Sequence, residues 1–141
     1  MDAPQPTARR PTLVLAEDHP QMAREITRLL AADFDVLAAV TDGESLLTLA
    51  VRLRPDAVVT DIGMPGMDGI NAAEHLVRAL PGLPVIFLSI HDDPEIIRRA
   101  LRVGRAFVAK TAAGDDLVDA VHAALRGDAY LPPVKLPPPP P

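Results

Sequence analysis

Two patterns of apolar residues alternate along this chain. Short continuous runs occupy Thr12–Ala16 and residues 34–40, 57–60, 85–88 and 105–109. Runs of this length bounded by turn signals predict strands buried on both faces. After each run the apolar residues fall every third or fourth position, which predicts an amphipathic helix. Met22, Ile26, Leu29 and Leu30 stripe the first such stretch, with Pro20 suited to its first turn. Asp42-Gly43 leads into the second, which carries Leu46, Leu47, Ala50 and Val51. Ile70, Ala73, Leu76, Val77 and Leu80 mark the third. Asp93-Pro94 supplies a cap and a first-turn proline for the fourth, striped by Ile96, Ile97, Ala100 and Leu101. Leu117, Val121, Ala124 and Leu125 line the last. Strand and helix alternating five times predict an α/β domain, a parallel sheet covered by helices on both faces.

The polar residues that end the strands carry the candidate chemistry. Glu17 and Asp18 follow the first strand and Asp61 follows the third. In an open parallel sheet, ligands bind beyond the carboxyl ends of the strands, where strand order reverses. If strands one and three are neighbours, the three carboxylates meet there. Their mutual repulsion must be relieved by protonation or a cation, and an all-oxygen set suits a hard divalent ion such as Mg²⁺. A single acid after a strand would be read as a helix cap. Two adjacent acids, a third at an equivalent strand end and a Met-Pro-Gly-Met-Asp-Gly loop behind it point to a site.

Composition narrows the picture further. The 141 residues suffice for one domain with a core built from Leu, Val, Ile and Ala, since aromatics make up only 3%. A net charge of −5 argues against a body that binds nucleic acid. The absence of cysteine excludes disulfides and thiolate chemistry. No apolar run is long enough to span a membrane, and Arg9 and Arg10 have no apolar stretch beside them to make a secretory signal. The expectation is a soluble cytoplasmic protein. It divides into an N-terminal tail over residues 1–11, one domain over 12–127, and a proline-rich tail or linker stump over 128–141 that favours polyproline conformation.

Glu17-Asp18, then Asp61-Ile62-Gly63-Met64-Pro65-Gly66-Met67-Asp68-Gly69, then Ser89, then Lys110 resembles the signature of response-regulator receiver domains. The resemblance covers residues 12–127 and implies a flavodoxin-like strand order 2-1-3-4-5. It implies that Asp61 accepts a phosphoryl group from a sensor histidine kinase. By the same resemblance, Asp18, Asp61 and the Gly63 carbonyl would bind Mg²⁺, with Glu17 acting through a water. Ser89 and Lys110 would hold phosphoryl oxygens, and Phe107 would be a switch aromatic that turns inward when Ser89 moves. Such a domain is a switch that catalyses its own phosphorylation and dephosphorylation rather than an ordinary enzyme.

Lys110-Thr111 and Gly127-Asp128-Ala129-Tyr130-Leu131-Pro132 resemble the receivers that precede LuxR-type helix-turn-helix domains. Two features depart from the commonest pattern: the turn Val103-Gly104-Arg105-Ala106 is one residue short, and Ile90 is bulky where a small residue is usual. Arg98, Arg102 and Arg105, with Arg99 beside them, form a basic stripe; the resemblance implies a surface for a partner or for a second copy in a phosphorylation-dependent homodimer, and a solvated helix face accounts for it equally well. A stand-alone receiver and a fragment of a longer regulator are both compatible with the sequence. The alternative, a phosphate-independent interaction module with a receiver-like fold, would be expected to have lost one of the five signature residues, and all five are present. An aspartyl-phosphate enzyme of another α/β class would carry Asp-x-Asp after the first strand, and a flavodoxin would carry a Ser/Thr/Gly-rich loop there. Asp18-His19-Pro20-Gln21 is neither.

Overall fold

The computed structural model describes residues 9–90 and 93–131. The proline tail over 132–141 and most of the N-terminal tail lie outside the described residues. Five strands are present: β1 (Thr12–Ala16), β2 (Asp35–Val40), β3 (Ala57–Asp61), β4 (Val85–Ser89) and β5 (Ala106–Ala109). All pair in parallel, in the order β2-β1-β3-β4-β5. Five helices connect and cover them: α1 (Pro20–Leu30), α2 (Gly43–Leu53), α3 (Gly69–Ala79), α4 (Pro94–Val103) and α5 (Ala113–Leu125).

Alternation along each strand sends neighbouring side chains to opposite faces. Leu13, Leu15, Ile86, Leu88 and Val108 pack with Ile26 and Leu30 of α1 and Leu117 and Val121 of α5. Val14, Val58, Phe87 and Phe107 pack on the other face with Leu46, Leu76, Ile97 and Ala100 of α2, α3 and α4. β1, β3 and β4 are buried along their lengths, as continuous apolar runs require, apart from the first residue of β1. The edge strand β2 departs from the expectation, with no residue fully buried. Its register slips between Leu13 and Val14, so that Leu37 has no partner on β1 and stands exposed. Phe34, read as the start of this strand, is a buried residue of the preceding turn.

Contacts extend beyond 12–127 at both ends. The Arg10 guanidinium donates to the carbonyls of Ala31 and Phe34, and Asp35 N–H donates to the Pro11 carbonyl. After α5, the turn at Gly127 (φ +90°) brings Tyr130 beside β5, where Tyr130 N–H donates to Arg105 O and Phe107 N–H to Tyr130 O, each at 3.0 Å. That segment covers part of the β5 edge, which would otherwise offer unpaired backbone groups. The basic stripe is largely engaged: Arg98 pairs with Glu95 at 2.7 Å and Arg105 donates to Ala124 O at 3.0 Å. Among the described residues, no helix is long and apolar enough to cross a membrane.

The short turn before β5 has a steric cause. Gly104 ends α4 with its N–H on Ala100 O, and the next N–H, of Arg105, already bonds Val85 O. A Cβ on Gly104 would lie 2.5 Å from Phe87 Cε2 and 2.7 Å from Val85 O. Gly104→Ala should therefore destabilise the fold by about 2 kcal/mol, the usual scale of overpacking a tight site. Urea unfolding measures this, and an unchanged midpoint would contradict the contact.

Candidate functional site

The parallel ladder brings the carboxyl ends of β1, β3, β4 and β5 to one edge of the sheet. Ala16 lies opposite Thr60, Asp61 opposite Leu88, and Ser89 opposite Ala109. Glu17 and Lys110, the residues immediately after β1 and β5, therefore flank Asp61 at the end of β3. Asp61 and Ser89 are the last residues of their strands rather than the first of the loops, so the ladder itself fixes their backbones.

Lys110 joins the cluster. Its Nζ donates to Asp61 Oδ2 at 2.9 Å and lies 2.6 Å from Glu17 Oε1. All three side chains are removed from water: Glu17 is 0%, Lys110 6% and Asp61 7% exposed. Burial alone disfavours each charge, and the partners decide the outcome. For Asp61, burial pushes the carboxyl above the ordinary aspartate value; Lys110 opposes it, while the charges of Glu17 and Asp18 add to it. For Glu17, burial acts upward but is outweighed by Lys110 and by the N–H of His19, so its carboxyl lies below the ordinary value. Burial acts downward on Lys110, and its two carboxylate partners more than reverse this.

One lysine cannot neutralise three acids. Glu17 Oε1 and Asp18 Oδ1 are buried atoms with no partner at hydrogen-bond geometry, although the Lys110 ammonium stands beside the first. One oxygen each from Glu17, Asp18 and Asp61, together with a His19 nitrogen, lie within 4.8 Å of one another. Carboxylate oxygens at this spacing, with Asp18 Oδ1 lacking a hydrogen bond, fit a hard divalent cation. His19 was not singled out by the sequence reading. Its Nδ1 is 3.2 Å from both Glu17 Oε2 and Asp18 Oδ1.

The loop behind Asp61 is shaped by its glycines. Gly66 takes φ +72°, and a Cβ on Gly69 would fall 2.0 Å from the Asp61 carbonyl oxygen, so α3 can start directly beneath Asp61. Asp68 caps α3 by accepting from Asn71 N–H at 2.8 Å. Gly63 and Ile90 line a pocket of about 640 Å³ together with His19, Met22, Asp61 and Lys110. Ile90 stands 71% exposed beside it. Ser89 is buried at the end of β4, and the Phe107 ring lies inside the core. The inward position of Phe107 is thus already occupied here.

Lys110 compensates two buried carboxylates, so Lys110→Met should cost about 3 kcal/mol at pH 7 without metal. The sign with pH follows from Asp61. Its raised value means that protonation favours the folded state, and that stability is lost as pH rises through the folded-state value. Lys110 opposes the rise at Asp61 and holds Glu17 down, so without it both carboxyls lie higher, the variant gains more from acidification than the parent, and its deficit should shrink. Urea unfolding at pH 7 and pH 4.5 tests this; a deficit that is absent, or that grows in acid, would contradict the role of Lys110.

Residues 13–122 match the family described as the response regulator receiver domain. The transcriptional regulatory protein DegU of Brevibacillus brevis is 33% identical over 124 residues, which cover 86% of this chain and 52% of DegU. A LuxR-family two-component response regulator from Aurantimonas superposes with a TM-score of 0.83 at 25% identity, over 87% of this chain and 90% of that one. The signal receiver domain of the putative response regulator NarL from Mycobacterium tuberculosis gives 0.78 at 32% identity, over 84% and 98%. The chain spans 52% to 58% of the length of such curated relatives. Receivers of this kind typically bind Mg²⁺ at an acidic pocket and are phosphorylated by sensor kinases, and some dimerise. The strand order, the acidic edge and these matches together place the chain in the response regulator receiver domain family of two-component signalling.

Proposed function

We propose that Asp61 accepts a phosphoryl group from the phosphohistidine of a sensor histidine kinase, and that residues 12–127 act as the switching unit. The observation that carries this reading is the contact of Lys110 Nζ with Asp61 Oδ2 at 2.9 Å, buried beneath a pocket open to a donor. A carboxylate oxygen of Asp61 attacks phosphorus, the P–N bond to the donor imidazole breaks, and an acyl phosphate remains on Asp61. Hydrolysis then transfers the phosphoryl group to water and restores the carboxylate.

In this reading Asp18, Asp61 and the Gly63 carbonyl hold Mg²⁺, with Glu17 acting through a water. The ion would supply positive charge to the transferring phosphoryl oxygens. Lys110 supplies a second positive charge, preorganised by Glu17 and Asp61. Ser89 donates its hydroxyl to a phosphoryl oxygen, and its movement is communicated to Phe107 on the neighbouring strand. A changed surface around α4, β5 and α5 then alters a partner contact or self-association. This chain alone is expected to bind no DNA, and the place of action is the cytoplasm.

Asp61→Asn tests the acceptor. An amide cannot form an acyl phosphate, so the variant should gain no phosphate from acetyl phosphate and Mg²⁺ by intact mass, whereas the parent gains one. Phosphorylation of the variant to the parent extent would overturn the assignment.

Ile90 tests access to the acceptor. Its β-branched side chain has few rotamers and stands at the mouth of the pocket that reaches Asp61. Both a small donor and the attacking water must pass it and align with the acceptor. Ile90→Ala should raise the rate of phosphorylation by acetyl phosphate and the rate of decay severalfold, a change of about 1 kcal/mol in barrier. Unchanged rates for both steps would show that Ile90 does not restrict the route.

A further inference from the structure

We propose that the segment following α5 is a clamp on β5 that positions Lys110, and that its docking is coupled to occupancy of Asp61, each strengthening the other. The inference rests on the reading of Asp61 as the phosphoryl acceptor and adds Tyr130 as a positioning residue outside the pocket. β5 has four residues and lies at the sheet edge, with β4 on one side. It delivers Lys110, the residue after Ala109, to the buried carboxylates. On its other side Ala106 forms a parallel bridge with Tyr130. Tyr130 N–H donates to Arg105 O and Phe107 N–H donates to Tyr130 O, both at 3.0 Å. The strand that carries Lys110 is thus held along both of its edges.

These contacts close a loop around Lys110. The chain runs from Arg105 through β5, Lys110 and α5, and returns at Tyr130 to the residues from which it started. The turn that brings it back is fixed: Gly127 takes φ +90°, its N–H donates to Ala124 O at 3.0 Å, and Asp128 N–H donates to Ala123 O at 2.9 Å. The Arg105 guanidinium also reaches Ala124 O, at 3.0 Å, so one residue grips both the returning segment and the end of α5. The Tyr130 side chain packs with the α1 and α5 face of the core, and Asp116 of α5 hydrogen-bonds its phenol. Phosphorylation moves the negative charge of Asp61 outward onto phosphoryl oxygens, and the Lys110 ammonium must follow it while its backbone stays in place. A small misplacement of such a group is costly, and a strand held along one edge alone has more freedom to lose when it is ordered. The clamp removes part of that ordering cost before the phosphoryl group arrives. By reciprocity, a phosphoryl group that fixes Lys110 tightens the clamp by the same factor. A segment that merely shields the β5 edge would add stability and leave the affinity of the site unchanged.

The test uses the full chain with Mg²⁺ and beryllofluoride as the phosphoryl probe, for the parent, Tyr130→Ala, Tyr130→Pro and Tyr130→Phe. Alanine removes the ring and keeps the backbone, and proline also removes the N–H that Arg105 O accepts. Beryllofluoride affinity is read by titration under conditions where urea unfolding shows each variant to be folded. It should fall about fivefold in Tyr130→Ala and further in Tyr130→Pro. Tyr130→Phe, which keeps the ring and both backbone hydrogen bonds, should recover most of the parent affinity. In the parent, saturating beryllofluoride should slow amide exchange of Phe107 and Tyr130 by a similar factor, with the amides of β1 as the reference. Variants that unfold at lower urea yet bind beryllofluoride like the parent would reduce the segment to a shield and overturn the coupling. Amides of Phe107 and Tyr130 that exchange unchanged or faster with the probe would overturn it too. A parent that takes up no beryllofluoride would remove the reading of Asp61 and this inference together. Binding by the parent with equal affinity in the variants would remove this inference alone.

Discussion

The buried ammonium of Lys110 between Glu17 and Asp61 is the interaction on which the functional edge depends. Its two contacts, at 2.6 and 2.9 Å, join the carboxyl ends of β1, β3 and β5 through side chains that water hardly reaches. Removing such charges from water costs several kcal/mol each, and mutual attraction returns this only when every partner is in place. The cluster is therefore a poor source of stability and a strong constraint on geometry. It also leaves a surplus of negative charge: three acids face one lysine, and the lysine sits closer to Glu17 than to Asp61. Burial, with the charges of Glu17 and Asp18 added, keeps the Asp61 carboxyl above its ordinary value, while Lys110 and the N–H of His19 hold Glu17 below its own.

The rest of the fold makes this conflict sustainable. Parallel pairing in the order β2-β1-β3-β4-β5 puts all the carboxyl ends on one edge, and apolar layers on both faces hold the strands in register. Gly69 lets α3 begin within 2.0 Å, measured from a would-be Cβ, of the Asp61 carbonyl. Gly104 lets α4 run directly into β5, so that Lys110 arrives at the right level. A divalent cation and a transferred phosphoryl group would each change the charge balance at Asp61.

Much of this arrangement was readable in the sequence, because burial on both faces leaves continuous apolar runs and one-sided burial leaves helical stripes. Glu17, Asp18 and Asp61 stood out as charges at the ends of such runs, Lys110 came only through the resemblance, and the structure brings the four together. The strand limits were less legible. The expected strands stop at residues 60 and 88, one short of Asp61 and Ser89, yet the pairing of Asp61 with Leu88 and Ser89 with Ala109 makes these polar residues strand termini. Edge position is equally invisible along a chain, which is why β2 was expected to be buried and is not. The docking of Tyr130 on β5 depends on backbone hydrogen bonds, which leave no trace in side-chain pattern. His19 entered only as part of Asp18-His19-Pro20-Gln21, yet its N–H donates to Glu17 Oε2 and its Nδ1 lies at hydrogen-bond distance from the same oxygen, a contact that side-chain patterning does not show.

The central claim is that Asp61 is held in electrostatic tension, relieved in part by Lys110 and further by a bound cation. Titration of the Asp61 carboxyl carbon by NMR, with chelator and then with saturating Mg²⁺, tests it most directly. The account predicts a titration above the ordinary aspartate value in chelator and a clear downward displacement with Mg²⁺, since a nearby cation favours the charged carboxylate. A carboxyl that titrates at or below the ordinary value without metal, and does not move when Mg²⁺ is added, would contradict it.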